Sequence, residues 1–107
     1  MDHIETLRRL ANHDPGILSQ SVARDPAGSP LPQRDVALAR LAATVATGGS
    51  AASYSVAVDA AISAQLTVPE LVDALVALTP IVGLPRAVSA AQHVLVALDL
   101  ADDDAAD

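Results

Sequence analysis

Few side chains in this sequence could do chemistry, and most lie in one stretch, "TGGSAASYSVAVDAA", spanning residues 47–61. Ser50 and Ser53 stand there in an S-x-x-S spacing. Beside them are Tyr54, the one aromatic residue of the chain, and Asp59, a lone carboxylate in an apolar run. A serine becomes a nucleophile only with a base placed against it, and none is adjacent in sequence. Ser50 therefore reads first as a helix N-cap and Ser53 as a first-turn residue, with contact to a ligand as the other reading. Tyr54 is either a packing residue with a satisfied hydroxyl or a polar anchor in a pocket. Asp59 would be costly if buried alone, so it is exposed or paired. Arg40 on the preceding segment is the expected partner, and Arg86 could instead take Asp59 or Asp73. The remaining possibility is a pocket acid. His93, the one histidine of the bundle body, has no second ligand in register and reads as structural or solvent-facing. His3 and His13 fall at the ends of the first helix and are expected to be exposed. No histidine or carboxylate pair has metal-ligand spacing, and no glycine loop has the context of a phosphate cradle.

Helices must position these groups. "HIETLRRLANHDP" puts Ile4, Leu7, Leu10 and Ala11 on one face and Glu5, Arg8 and Arg9 on the other. Asp14-Pro15 stops it, because a residue before proline avoids the helical region. Asp14 then caps a short second helix carrying Ile17, Leu18 and Val22, and "RDPAGSPLP" reads as a loop. A third helix is expected from about Gln33 to Thr47, with Val36, Ala37, Leu41, Thr44 and Val45 in one stripe and Leu38 and Ala42 opposite. Gly48-Gly49 ends it, and Ser50 opens a fourth that runs to about Gln65. In "LTVPEL", Thr67 and Glu70 form a capping box with Pro69 in the first turn. The fifth helix follows, with Val68, Leu71, Val72, Leu75, Val76, Thr79 and Val82 in one stripe and a bend expected at Pro80. Gly83 ends it. Pro85 opens a sixth, with Val88, Ala91, Leu95 and Leu98 on one face and Ala87, Ala90, Val94 and Ala97 on another. The expected fold class is all-α, a bundle of about six helices in one domain over residues 1–100. Residues 1–30 supply the N-terminal helices, residues 31–100 the core, and residues 101–107 an acidic, disordered tail.

Composition narrows the function classes. The chain has 107 residues and a net charge of −7, from 6 Lys+Arg against 13 Asp+Glu. That balance argues against nucleic acid, whose binding rests on neutralising phosphates, and against anionic membrane surfaces. With no cysteine, disulfides, thiolate metal sites and thiol catalysis are excluded. The N-terminus lacks the basic-then-apolar order of a signal peptide. The longest uncharged run, residues 41–58, is broken by glycines and rich in Ser and Thr, so no membrane span is expected and the cytoplasm is the expected location. Hydrophobic residues make up 51% of the chain and aromatics 1%. Such a core of Ala, Val and Leu is thin for a chain this short. Three helices apolar nearly all round then imply subunit contacts.

In this order of features the stretch "VALARLAATVATGGSAASYSVAVDAAISAQLTVPELVDALVALTPIVGLPRAVSAA" resembles the carboxymuconolactone decarboxylase family, which includes the alkylhydroperoxidase D-like proteins. The resemblance covers about Pro32 to Leu100. An apolar helix ends in Gly, a short motif opens the next, a threonine-capped helix follows, and "VGLPRAVSAA" makes the return. It implies an all-α alkylhydroperoxidase D-like bundle whose subunits assemble as trimers or hexamers. In the peroxidase branch of that family the helix opens with C-x-x-C, a His follows four residues later, and a Glu on the preceding helix completes a proton relay. Matched by position, the two cysteines fall on Ser50 and Ser53, the His on Ala57 and the Glu on Leu38. Every one is replaced. A serine has no redox couple, so this chain is expected to lack peroxidase chemistry. The absence of a His at Ala57 also weakens the proton transfer implied for the lactone decarboxylase branch.

The resulting expectation is a homo-oligomeric, catalytically degenerate scaffold, or a protein binding a small apolar molecule, with no cofactor and no metal. The former redox positions and candidate pocket are Ser50, Ser53, Tyr54, Ala57, Asp59, Leu38 and Arg40. The alternative is a thiol-independent enzyme of lactone-decarboxylase type, in which Tyr54, Asp59 and Arg40 converge on one cleft. A further alternative is an interaction module whose apolar faces meet a different chain.

Overall fold

The computed structural model describes residues 2–16 and 30–100. Among these the secondary structure is helical, with no strand. The helices are α1 (His3–Ala11), α2 (Gln33–Thr47), α3 (Ala51–Ser63), α4 (Val68–Val82) and α5 (Leu84–Ala97). The short helix expected to carry Ile17, Leu18 and Val22, and the acidic tail, lie outside the described residues. The chain divides into two compact units, residues 1–30 and 31–107.

In the first unit, Asp2 caps α1 by accepting from the Glu5 N–H at 2.7 Å. Arg9 pairs with Glu5 one turn back at 3.2 Å, a contact that stabilises an exposed helix only slightly. The apolar stripe forms as expected, yet Ile4, Leu7 and Leu10 are all exposed and α1 buries no residue.

The second unit packs α2 through α5 around one core. Within it α2 meets α3, α4 and α5, α3 lies on α5, and α4 lies on α5. Each helix contributes a stripe. Ala37, Leu41 and Val45 come from α2, and Tyr54, Ala57, Val58 and Ala61 from α3. Leu71 of α4, Ala90 and Val94 of α5, and Leu66 from the α3–α4 connection complete the core. Because most of these side chains are small, Tyr54, Leu41 and Leu71 are the largest that are fully buried.

Local signals set the helix ends. Gly48 takes the left-handed conformation, φ 71° and ψ 53°, that closes α2. Gly49 serves a different need. Its N–H donates to the Thr44 carbonyl at 2.9 Å, and a Cβ there would stand 2.6 Å from the Thr44 methyl. Ser50 caps α3 by accepting from the Ser53 N–H. Thr67 and Glu70 form both halves of a capping box at the start of α4. Pro80 lies inside α4, which continues to Val82, and Gly83 at φ 93° separates it from α5.

Of the apolar stripe on α4, Leu71 alone is buried. Val72 and Val76 are 48% and 67% exposed. The stripe runs beside the apolar face of α5, and no described residue of this unit covers the two.

Candidate functional site

At the N-terminus of α3 the two serines are engaged with each other. Ser50 Oγ accepts from the Ser53 N–H at 3.2 Å and lies 3.1 Å from Ser53 Oγ. No imidazole or carboxylate hydrogen-bonds to either hydroxyl, so neither is an activated nucleophile. Ser53 also borders a shallow recess with Arg40, Thr44, Ala52 and Val56.

The positions matched to the family's relay are structural here. Ala57 is completely buried in the core, and Leu38 packs against that core from α2.

Asp59 and Arg40 do not pair, which corrects the expected ion pair. Asp59 is exposed. At 3.6 residues per turn it stands about 140° round α3 from Tyr54, on the outward face. There water solvates the carboxylate and no partner is needed. Arg40, Asp59, Asp73 and Arg86 enter no ion pair among the described residues. The cation that does bridge helices is Arg34. It pairs with Glu70, and its Nη1 donates to the Gln65 carbonyl at 2.8 Å. Glu70 is held below its ordinary carboxyl range. The chief cause is its hydrogen bond from the Thr67 backbone, with Arg34 adding to it and desolvation opposing.

Tyr54 is buried, 1% exposed, and stacks flat on His93 of α5, with ring centroids 4.8 Å apart and planes at 11°. Burial raises its hydroxyl above the ordinary value of 10.0, so the phenol stays protonated across the physiological range. His93 is held in turn by its own helix. Its Nδ1 lies 2.8 Å from the Ser89 carbonyl, one turn back. A carbonyl only accepts, so in the neutral ring Nδ1 carries the hydrogen and Nε2 is left with a lone pair. The sequence reading of His93 as structural or solvent-facing missed this stack. Nothing in the sequence marks it, because the two rings come from different helices.

Recesses bounded by described residues include three of note. The first contains Ser53 and Arg40. The second, of about 330 Å³, is lined by Ala51, Gln92, His93, Val96 and Ala97. The third, of about 340 Å³, is the groove between α4 and α5. It runs past Val68, Val72 and Val76 on one side and Ala91, Leu95 and Leu98 on the other, with Thr79 its one polar side chain. Tyr54 and Asp59 line none of the three. Tyr54 is buried while Asp59 stands on the outward face of α3, so the two do not meet Arg40 in one cleft as acid–base catalysis would require.

Among the described residues, no cluster of three or more His, Asp or Glu could hold a metal ion, and no helix is long and apolar enough to cross a membrane. No protein-family model, curated protein or solved structure matches the chain.

Proposed function

We propose that this chain is a carboxymuconolactone decarboxylase-like protein that keeps the helical scaffold without the redox centre. It works as a homo-oligomer, a trimer or hexamer of the kind the resemblance implies, in the cytoplasm. The observation that carries this reading is the charge-free groove of α4 and α5. Its walls are Val, Leu and Ala with one Thr, although the chain as a whole bears a net charge of −7. A second acidic copy would be repelled by most of the surface but not by this face. Burying it would also extend a core that has only one aromatic side chain. Matching apolar walls on two helices suit contact between like surfaces, and exposed apolar faces of this kind mark association sites.

The burial of Ala57 and the contact between Ser50 and Ser53 support a scaffold rather than a peroxidase. Light scattering coupled to size exclusion tests the assembly. The expected mass is a small multiple of 10.8 kDa. Val76→Asp places a carboxylate on the groove wall at an exposed position, so it should shift the mass toward one chain while the helical circular dichroism stays unchanged. A wild-type protein that runs as one chain at high micromolar concentration would refute the proposal.

A further inference from the structure

We infer that the recess lined by Ala51, Gln92, His93, Val96 and Ala97 binds a small apolar molecule through one hydroxyl group, which His93 Nε2 accepts. Three observations lead there, and none depends on the oligomer.

The first is the fixed ring. His93 is held on one edge by the Ser89 carbonyl and on one face by Tyr54. Its orientation and its tautomer are therefore set before any ligand arrives, and a preorganised acceptor loses little freedom on binding. The second is the free lone pair. Nε2 hydrogen-bonds to no described residue. No side-chain nitrogen or oxygen fully sealed from solvent among the described residues lacks a partner, and His93 is itself only half-buried, so the unpartnered Nε2 keeps contact with solvent. An imidazole acceptor held open beside a recess recognises a donor, and a hydroxyl is the donor that an otherwise apolar small molecule can bring. The third is the wall. Ala51, Val96 and Ala97 offer apolar surface, and the recess holds about 330 Å³, within the range of small-ligand sites. Gln92 at the rim can donate to the same hydroxyl oxygen, because an amide carries both a donor and an acceptor.

The resemblance places the family's histidine on the α3 helix, at the position of Ala57. Here the imidazole arrives instead from α5 and lies on Tyr54. The site is a binding site for a hydroxyl compound, and no bond-making step is assigned to it.

Phenol and toluene are suitable probes, since one carries a hydroxyl where the other carries a methyl group of similar size. Imidazole nitrogen NMR on the full chain should first show His93 as the Nδ1–H tautomer. Phenol should then shift the His93 Nε2 resonance saturably, and toluene should bind about three- to tenfold more weakly, the usual worth of one hydrogen bond. His93→Phe keeps a flat ring against Tyr54 and removes Nε2, so phenol should bind this variant no better than toluene. The proposal is overturned if phenol gives no saturable shift, or if the two probes bind equally to the wild-type protein. It is overturned too if His93 proves to be the Nε2–H tautomer. Should His93→Phe fail to fold, the wild-type comparison and the tautomer still decide the matter. A monomeric protein that binds phenol as described would refute the proposed assembly and leave this site standing.

Discussion

Tyr54 is the residue on which the core depends. It is the one aromatic of the chain and is surrounded by alanine, valine and leucine. Truncation to alanine should cost about 3–5 kcal/mol, the range for a buried aromatic whose cavity cannot collapse, measured by urea unfolding. Tyr54→Phe should cost less than about 1 kcal/mol, because the hydroxyl makes no hydrogen bond to a described residue. The same burial predicts an alkaline limit. The folded phenol ionises above 10.0 and the unfolded one near it, so the unfolded chain loses its proton first. The Tyr54 contribution to stability should therefore be constant below about pH 10 and fall as pH rises beyond it, and Tyr54→Phe should remove that fall. The sequence left Tyr54 open between packing and pocket. The fold decides for packing, since α3 turns it inward with Ala57, Val58 and Ala61. Asp59, on the same helix, faces out.

At the scale of elements, the start of α4 shows how far local chemistry reaches. Thr67 accepts from the Glu70 N–H at 3.2 Å, and Glu70 accepts from the Thr67 N–H at 3.0 Å. Thr67→Ala should lose about 1 kcal/mol, as other N-cap truncations do, seen as a lower urea midpoint. Glu70 has its pKa depressed in the fold. Its contribution is thus present above the ordinary carboxyl range and lost as pH falls through the folded value. Glu70→Gln should flatten the acid side of the stability profile in proportion. These ends were legible in the sequence because caps and glycine stops act over three or four residues. The bounds of α2 and α4 agree with those read from Gly48, Thr67 and Gly83. The Arg34–Glu70 pair was not legible, for its partners lie 36 residues apart and meet only after α2 and α4 pack.

At the scale of the whole molecule, the exposed α4–α5 groove predicts a thermal midpoint that rises with protein concentration, because self-association stabilises the folded state by mass action. Scanning calorimetry over a hundredfold range of concentration checks this, and Val76→Asp should abolish the dependence. The sequence by itself determined the helical class and the turns, since periodicity and caps are local properties. It also determined that α4 has an apolar stripe. Only the tertiary structure decided that Leu71 of that stripe is buried in the core while Val72 and Val76 stay open. It also set Asp59 outward and laid His93 flat on Tyr54. The reason is that an apolar face records a need to be covered without recording by what. The cover, like the meeting of two rings from different helices, is fixed by how the helices pack.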